Sequence, residues 1–387
     1  MPVWPDAWPN GVVVADIDGD GRDDAIVETT RTDQDDNPDA DFRLFIFHQL
    51  PDGNLDRPFV IAYTSTKDEG DIATYGIRKG TAIAATDLNG DGIADIVLGR
   101  RLGLSILYGR RDRAYEVQHV ANATGAPQGD DIVFMDADDD GYLDIVAHND
   151  AWGPENDFVL RVGITVYFGA ADHAYTRQKF TASESGYGLR TGDFNNDGIT
   201  DLAMFAGWNV GTGIQIRFGD GTGGFPGSLF VPQAAGLLDM NTFAVGDFTG
   251  SDGLDDLVMA GNDANFSGGK FFLFEQTGNG FLSTPGEVPS AAPKDTADVP
   301  DKSITADVNG DGRDDLLVVR SGGMIGYFEQ RDGRLVQELA LEGPYATWSG
   351  HSAISVGDLD GDGCKDVATA NYNYGLVVWK GVGCRGH

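Results

Sequence analysis

The nine residues DIDGDGRDD, Asp16 to Asp24, set acidic side chains at positions 1, 3, 5 and 9 around a glycine, and the phrase returns six more times. The later copies are DLNGDGIAD from Asp87, DADDDGYLD from Asp136, DFNNDGITD from Asp193, DFTGSDGLDD from Asp247, DVNGDGRDD from Asp307 and DLDGDGCKD from Asp358. Their starts lie 71, 49, 57, 54, 60 and 51 residues apart, the spacing of a supersecondary unit of about 50 residues repeated with insertions. Each unit of such an array buries its face against its neighbours, so the size limit of a single core does not apply. No linker-like stretch interrupts the repeats, and residues 1–387 are expected to form one domain.

Each phrase reads as coordination chemistry for Ca²⁺, a hard ion that takes six to eight oxygens. The expected ligands are the side chains of Asp16, Asp18, Asp20 and Asp24 with the carbonyl of Arg22, and then Asp87, Asn89, Asp91 and Asp95 with that of Ile93. The third and fourth loops offer Asp136, Asp138, Asp140 and Asp144 with Tyr142, and Asp193, Asn195, Asp197 and Asp201 with Ile199. The fifth offers Asp247, Thr249, Asp252 and Asp256 with Leu254. The last two offer Asp307, Asn309, Asp311 and Asp315 with Arg313, and Asp358, Asp360, Asp362 and Asp366 with Cys364. One extra residue and a threonine at position 3 make the fifth loop the weakest of the series. An EF-hand would need a bidentate Glu at position 12; that position holds Val27, Leu98, Ala147, Met204, Met259, Val318 or Thr369. Up to seven ions are expected, as staples rather than catalysts, because catalytic metals keep an open position and are rarely repeated.

Short apolar runs flank the loops: GVVVAD, TAIAATD, DIVFMD, TFAVGD and AISVGD enter them, and DAIV, DIVL, DIVA, DLAM, DLVM, DLLV and DVAT leave. Runs of this length, rich in Val and Ile, predict buried strands. A third strand follows in every repeat (RLFIFHQ, LSILYG, ITVYFG, IQIRFG, FFLFEQ, MIGYFEQ, GLVVWKG), then a turn and a fourth strand such as FVIAYT or YEVQHV. Four strands repeated seven times predict an all-β, seven-bladed propeller. The seventh repeat stops at GVGCRGH before a fourth strand; MPVWP is the segment available to cover that edge.

The pattern DxDGDGxxDxxV followed by xxVxVYFGxxDGxF resembles the FG-GAP/VCBS repeat of integrin α-subunits, propeller lectins and many secreted bacterial proteins. The resemblance spans essentially the whole chain and implies a calcium-binding propeller. It leaves adhesion, lectin and polysaccharide-degrading roles open.

The formal charge of −34 argues against nucleic acid, which requires a cationic face, and 24 of the 61 acidic residues fall at the liganding positions. No apolar run reaches the ~18 residues of a membrane span, and MPVWPDAWPN is no signal peptide. The two cysteines occupy position 7 of the last loop (Cys364) and the end of the following third strand (Cys384). Both should lie on the calcium face and form a disulfide, which suits an extracellular protein. A monomer is expected.

If calcium occupies one face, the loops between strands 2 and 3 and between blades emerge on the other, and these are long and unlike one another. They carry Trp152, Tyr187, Trp208, Trp348, Tyr372 and Tyr374, with Arg78, Lys79, Arg190 and His351 among them. Exposed aromatics beside polar and cationic groups suit sugars, and cations in so acidic a chain suit an acidic saccharide. Binding is the preferred reading. A polysaccharide lyase would need a base and a carboxylate-neutralising cation, for which His148, His351, Tyr187 and Arg190 are the candidates; a protein-adhesion surface is the third reading.

Overall fold

The computed structural model describes residues 8–30, 42–63, 82–100, 103–123, 128–149, 163–182, 188–206, 211–250, 253–263, 269–277, 280, 284–290, 299–320, 323–343, 353–371 and 374–384. Among these every regular element is a strand, and the strands form seven antiparallel sheets. Blade 1 comprises β1 (Trp8–Ala15), β2 (Asp24–Thr30), β3 (Arg43–Phe47) and β4 (Phe59–Ala62); blade 2 comprises β5 (Ile83–Thr86), β6 (Asp95–Arg100), β7 (Gly103–Leu107) and β8 (Val117–Ala121). Blade 3 holds β9 (Gln128–Met135), β10 (Asp144–Asn149), β11 (Gly163–Tyr167) and β12 (Gln178–Ala182), and blade 4 holds β13 (Arg190–Gly192), β14 (Asp201–Phe205), β15 (Gly213–Phe218) and β16 (Gly227–Pro232). Blade 5 has β17 (Asp239–Gly246), β18 (Asp256–Asn262), β19 (Gly269–Phe274) and β20 (Gly286–Val288); blade 6 has β21 (Pro300–Ala306), β22 (Asp315–Arg320), β23 (Ile325–Gln330) and β24 (Leu335–Leu341). Blade 7 shows three strands, β25 (Ile354–Gly357), β26 (Asp366–Asn371) and β27 (Gly375–Trp379). The MPVWP segment lies outside the described residues.

The second and third strands are continuous apolar runs because both of their faces are covered. β6, β7, β10 and β11 are buried along their whole length. The core is correspondingly divided into seven clusters, each straddling one interface between neighbouring blades. The cluster between blades 7 and 1 sets Val12, Val27, Phe45 and Phe47 against Leu359, Ala368, Ala370 and Leu376, and so closes the ring. A fully buried side chain such as Phe47 contributes about 2–3 kcal/mol by leaving water.

The hairpins repeat in register. In every blade the residue before loop position 1 pairs with the aspartate at position 9: Ala15 with Asp24, Thr86 with Asp95, Met135 with Asp144, Gly192 with Asp201, Ala306 with Asp315 and Gly357 with Asp366. Blade 5 keeps it too, Gly246 with Asp256, so the extra residue is absorbed inside the loop and the strands do not slip. All seven acidic loops therefore open on one face. The ends of the second strands and the starts of the third lie on the other.

Candidate functional site

The acidic loops wind themselves by hydrogen bonds from their own amides. Asp16 accepts from Gly19 (2.7 Å) and Asp20 (3.2 Å) through Oδ1 and from Gly21 (2.8 Å) through Oδ2, and Asp87 accepts from Gly90, Asp91 and Gly92 in the same way. Position 3 accepts from the amide of position 5, and position 5 from that of position 7, as in Asn89, Asp91 and Ile93. The glycine at position 6 has a positive φ throughout, +84° at Gly21 and +86° at Gly363, which side-chain-bearing residues adopt only with strain. The turn directs several carboxylates to one centre: Asp16, Asp18 and Asp20, then Asp136, Asp138 and Asp144, then Asp358, Asp360 and Asp366 form groups whose ligand atoms lie within 4.8 Å of one another. These oxygen-only donor sets fit a hard divalent cation. Cationic side chains meet carboxylates of the acidic loops: Arg177 pairs with Asp138, Arg313 with Asp311 and Lys380 with Asp360. Asp252 of the fifth loop lies outside the described residues.

Position 9 has a second task. Asp95 accepts from the Leu88 amide through Oδ2 and from the Gly109 amide through Oδ1, tying the loop to the end of β7; Asp144, Asp201, Asp256, Asp315 and Asp366 make the equivalent pair of bonds. Burial pushes these carboxyls up against the opposing effect of the amides, Asp95 to about 7 and Asp144, Asp201 and Asp256 to about 6. Asp24, Asp315 and Asp366 are raised for the same reason.

Sequence reasoning missed a clamp between blades. The position 8 aspartate of one blade accepts from the position 1 amide of the blade before it: Asp255 from Asp193 (3.0 Å), Asp314 from Asp247 (2.9 Å) and Asp23 from Asp358 (2.8 Å). In these same blades the residue at the end of the third strand that donates its amide to position 9 is Gln49, Gln276 or Gln330. Gln49 donates to the carbonyl of Asp358 (2.7 Å) and Gln276 to that of Asp193 (3.1 Å), so the neighbour's first aspartate is held on both sides of its backbone. The other blades place glycine there, where a Cβ on Gly109 would lie 2.3 Å from the Ala94 carbonyl oxygen. The signal was the pairing of DD at positions 8 and 9 with HQ or EQ after the third strand.

On the opposite face two of the candidate ligand-binding residues are described. Tyr374, in the turn between β26 and β27, is 53% exposed. Arg190, at the start of β13, is half-buried against the inner wall, where it donates to the carbonyls of Leu189 (2.7 Å) and Ser303 (3.0 Å) and stands over the Phe243 ring. It thus joins blade 4 to blade 6 across blade 5. Burial pushes its pKa down while Asp131 opposes the shift. His148 sits within β10 and is 4% exposed. Arg78, Lys79, Trp152, Tyr187, Trp208, Trp348, His351 and Tyr372 lie outside the described residues. Cys364 and Cys384 form the expected disulfide, with Cα atoms 5.4 Å apart.

The family of FG-GAP-like repeats matches residues 87–147 and 307–369, each running from one acidic loop to the hairpin of the next blade. The chain carries FG-GAP-like repeats. No curated protein sequence matches it. Among solved structures, the ring is similar to the BP39L lectin of Burkholderia pseudomallei, with 14% identity, 96% of this chain and 95% of that one covered, and a TM-score of 0.62. It is similar also to an Agrocybe aegerita lectin described as recognising non-reducing terminal N-acetylglucosamine, with 15% identity, 96% and 85% coverage and a TM-score of 0.58. A third similar structure is BBS1N in complex with ARL6DN, with 12% identity, 98% and 94% coverage and a TM-score of 0.56. At such identities the likeness is one of fold; in this chain Gly169 and Gly219, which follow Phe168 and Phe218, lack the Cβ that would lie 2.4 and 2.5 Å from the Leu143 and Thr200 carbonyl oxygens, and so let the third strand approach the acidic loop.

Proposed function

We propose that this chain is a secreted, calcium-stabilised carbohydrate-binding propeller of lectin type that takes an acidic saccharide on the face opposite the acidic loops. The division between the faces carries this reading. One face is occupied by self-wound carboxylate loops whose side chains are engaged with amides, cations and neighbouring blades. The order of the strands directs to the other the connections whose sequence carries Trp152, Trp208, Trp348, Tyr372 and Tyr374 with Arg78, Lys79 and His351, and these are the residues proposed to meet the ligand. Apolar ring faces stacked on aromatics, with hydroxyls and carboxylates taken by polar and cationic neighbours, is the recognition chemistry of an acidic sugar. The likeness to two lectin rings supports the same reading. Calcium, held by the side chains of positions 1, 3, 5 and 9 and the carbonyl of position 7, would neutralise the clustered carboxylates and fix the hairpins.

A glycan array containing uronate-bearing and neutral saccharides tests it. Binding should fall by about 1–3 kcal/mol in Trp152→Ala, with the melting temperature unchanged, because a lost contact and a lost brace are separate effects. Arg190→Ala is a poorer probe, since it removes two bonds to the inner wall along with any contact to ligand. An array with no saccharide bound above background would overturn the carbohydrate reading.

A further inference from the structure

The end of β3 differs from its six counterparts. The residue before the one that donates its amide to the position 9 aspartate is Tyr108, Phe168, Phe218, Glu275, Glu329 or Lys380 in blades 2 to 7, and in blade 1 it is His48. That imidazole is 5% exposed. Its Nδ1 stands 3.1 Å from Asp24 Oδ2 and 3.4 Å from Asp18 Oδ2, both buried carboxylates, and its Nε2 is 3.4 Å from the Tyr115 hydroxyl of blade 2. In five other blades the corresponding aspartate oxygen accepts from the amide of loop position 2, and in blade 5 from that of Thr249 at position 3; here it faces an imidazole nitrogen.

We propose that blade 1 holds a site for a borderline divalent transition ion such as Zn²⁺, bound by Asp18 Oδ2, Asp24 Oδ2 and His48 Nδ1. The three ligand atoms lie within 4.8 Å of one another. Bonds of ~2.0–2.1 Å in a tetrahedral shell put ligand atoms about 3.4 Å apart, and the two nitrogen-to-oxygen distances already approach that edge. Imidazole with carboxylate suits zinc and its neighbours, whereas calcium takes oxygen alone. Arg113 occupies Asp18 Oδ2 from blade 2 at 2.7 Å, but its side chain is 43% exposed and can turn to water as the ion enters. Asp18 and Asp24 are also the position 3 and position 9 side chains of the first acidic loop, so an ion in this site competes with calcium for both carboxylates.

The test is titration of the whole chain with Co²⁺ and Zn²⁺ in excess Ca²⁺. The wild type should take up one Co²⁺ with the intensified visible absorption of a four-coordinate ion, displaced by Zn²⁺. His48→Gln should weaken that uptake more than about 100-fold, because even the indirect partners of a metal ligand cost 10–100-fold. Equal Co²⁺ uptake by the two proteins, or full displacement by the excess Ca²⁺, would overturn the proposal. Should His48→Gln fail to fold, X-ray absorption at the zinc edge of the wild type with one equivalent bound decides: an imidazole in the shell supports the site and an all-oxygen shell refutes it.

Discussion

Asp95 shows what burial does to the carboxylate at position 9. Its pKa rises to about 7, against roughly 3.9 in an unfolded chain, so the metal-free folded state holds a proton that the unfolded state releases. The stability from this group is complete below pH 4 and is lost as pH climbs through 7; Asp144, Asp201 and Asp256 act alike through about 6. In chelator the melting temperature should therefore fall between pH 5 and 7.5, and calcium should flatten the fall by favouring the ionised forms. A chelated protein that gained stability over that range would contradict this account. The clamp gives a second prediction at the same scale: Gln276→Ala leaves the Asp193 carbonyl without its 3.1 Å donor and should cost about 1 kcal/mol, measured by denaturant unfolding. The aspartates of the acidic loops were legible because they repeat seven times at fixed spacing. Asp23, Asp255 and Asp314 were not, because each looks like one more acidic residue in an acidic loop until the fold brings the neighbouring blade's amide to it. His48 carries no repeat signal in the sequence, and only the packing of β3 against blade 2 shows it buried between two carboxylates.

Among the elements, the fifth hairpin and the seventh blade depart from the pattern. The added residue in DFTGSDGLDD leaves Gly246 paired with Asp256, so the strands hold register while the loop absorbs the change. The strand count was legible from apolar runs bounded by turn residues. The loops of the opposite face were legible only as composition, since long dissimilar segments rich in Gly, Asn and Trp follow no period from which a geometry can be derived. In blade 7 the disulfide closes a separation of 20 residues between the acidic loop and the segment after β27. Loop-closure entropy for that length is about 3 kcal/mol, and replacing both cysteines together, Cys364→Ser with Cys384→Ser, should lower stability by roughly that amount relative to the wild type. The native, unreduced protein should show no titratable thiol.

For the whole molecule, stability is a sum over seven interfaces rather than the property of one centre. Chelation should lower the melting temperature appreciably, because it restores repulsion among clustered carboxylates on one side of every blade at once; an unchanged curve after verified removal of metal would refute the calcium assignment. The junction between blades 7 and 1 is held by Asp23 and Gln49 on Asp358, the same pair of contacts that Asp255 and Gln276 make on Asp193 between blades 4 and 5. Among the described residues the ring thus has no seam of distinct chemistry where first blade meets last. Fraying should not begin there: in hydrogen exchange the Asp358 amide should be protected as long as the Asp193 amide, and a circular permutant opened between blades 4 and 5 should find its old ends already clasped.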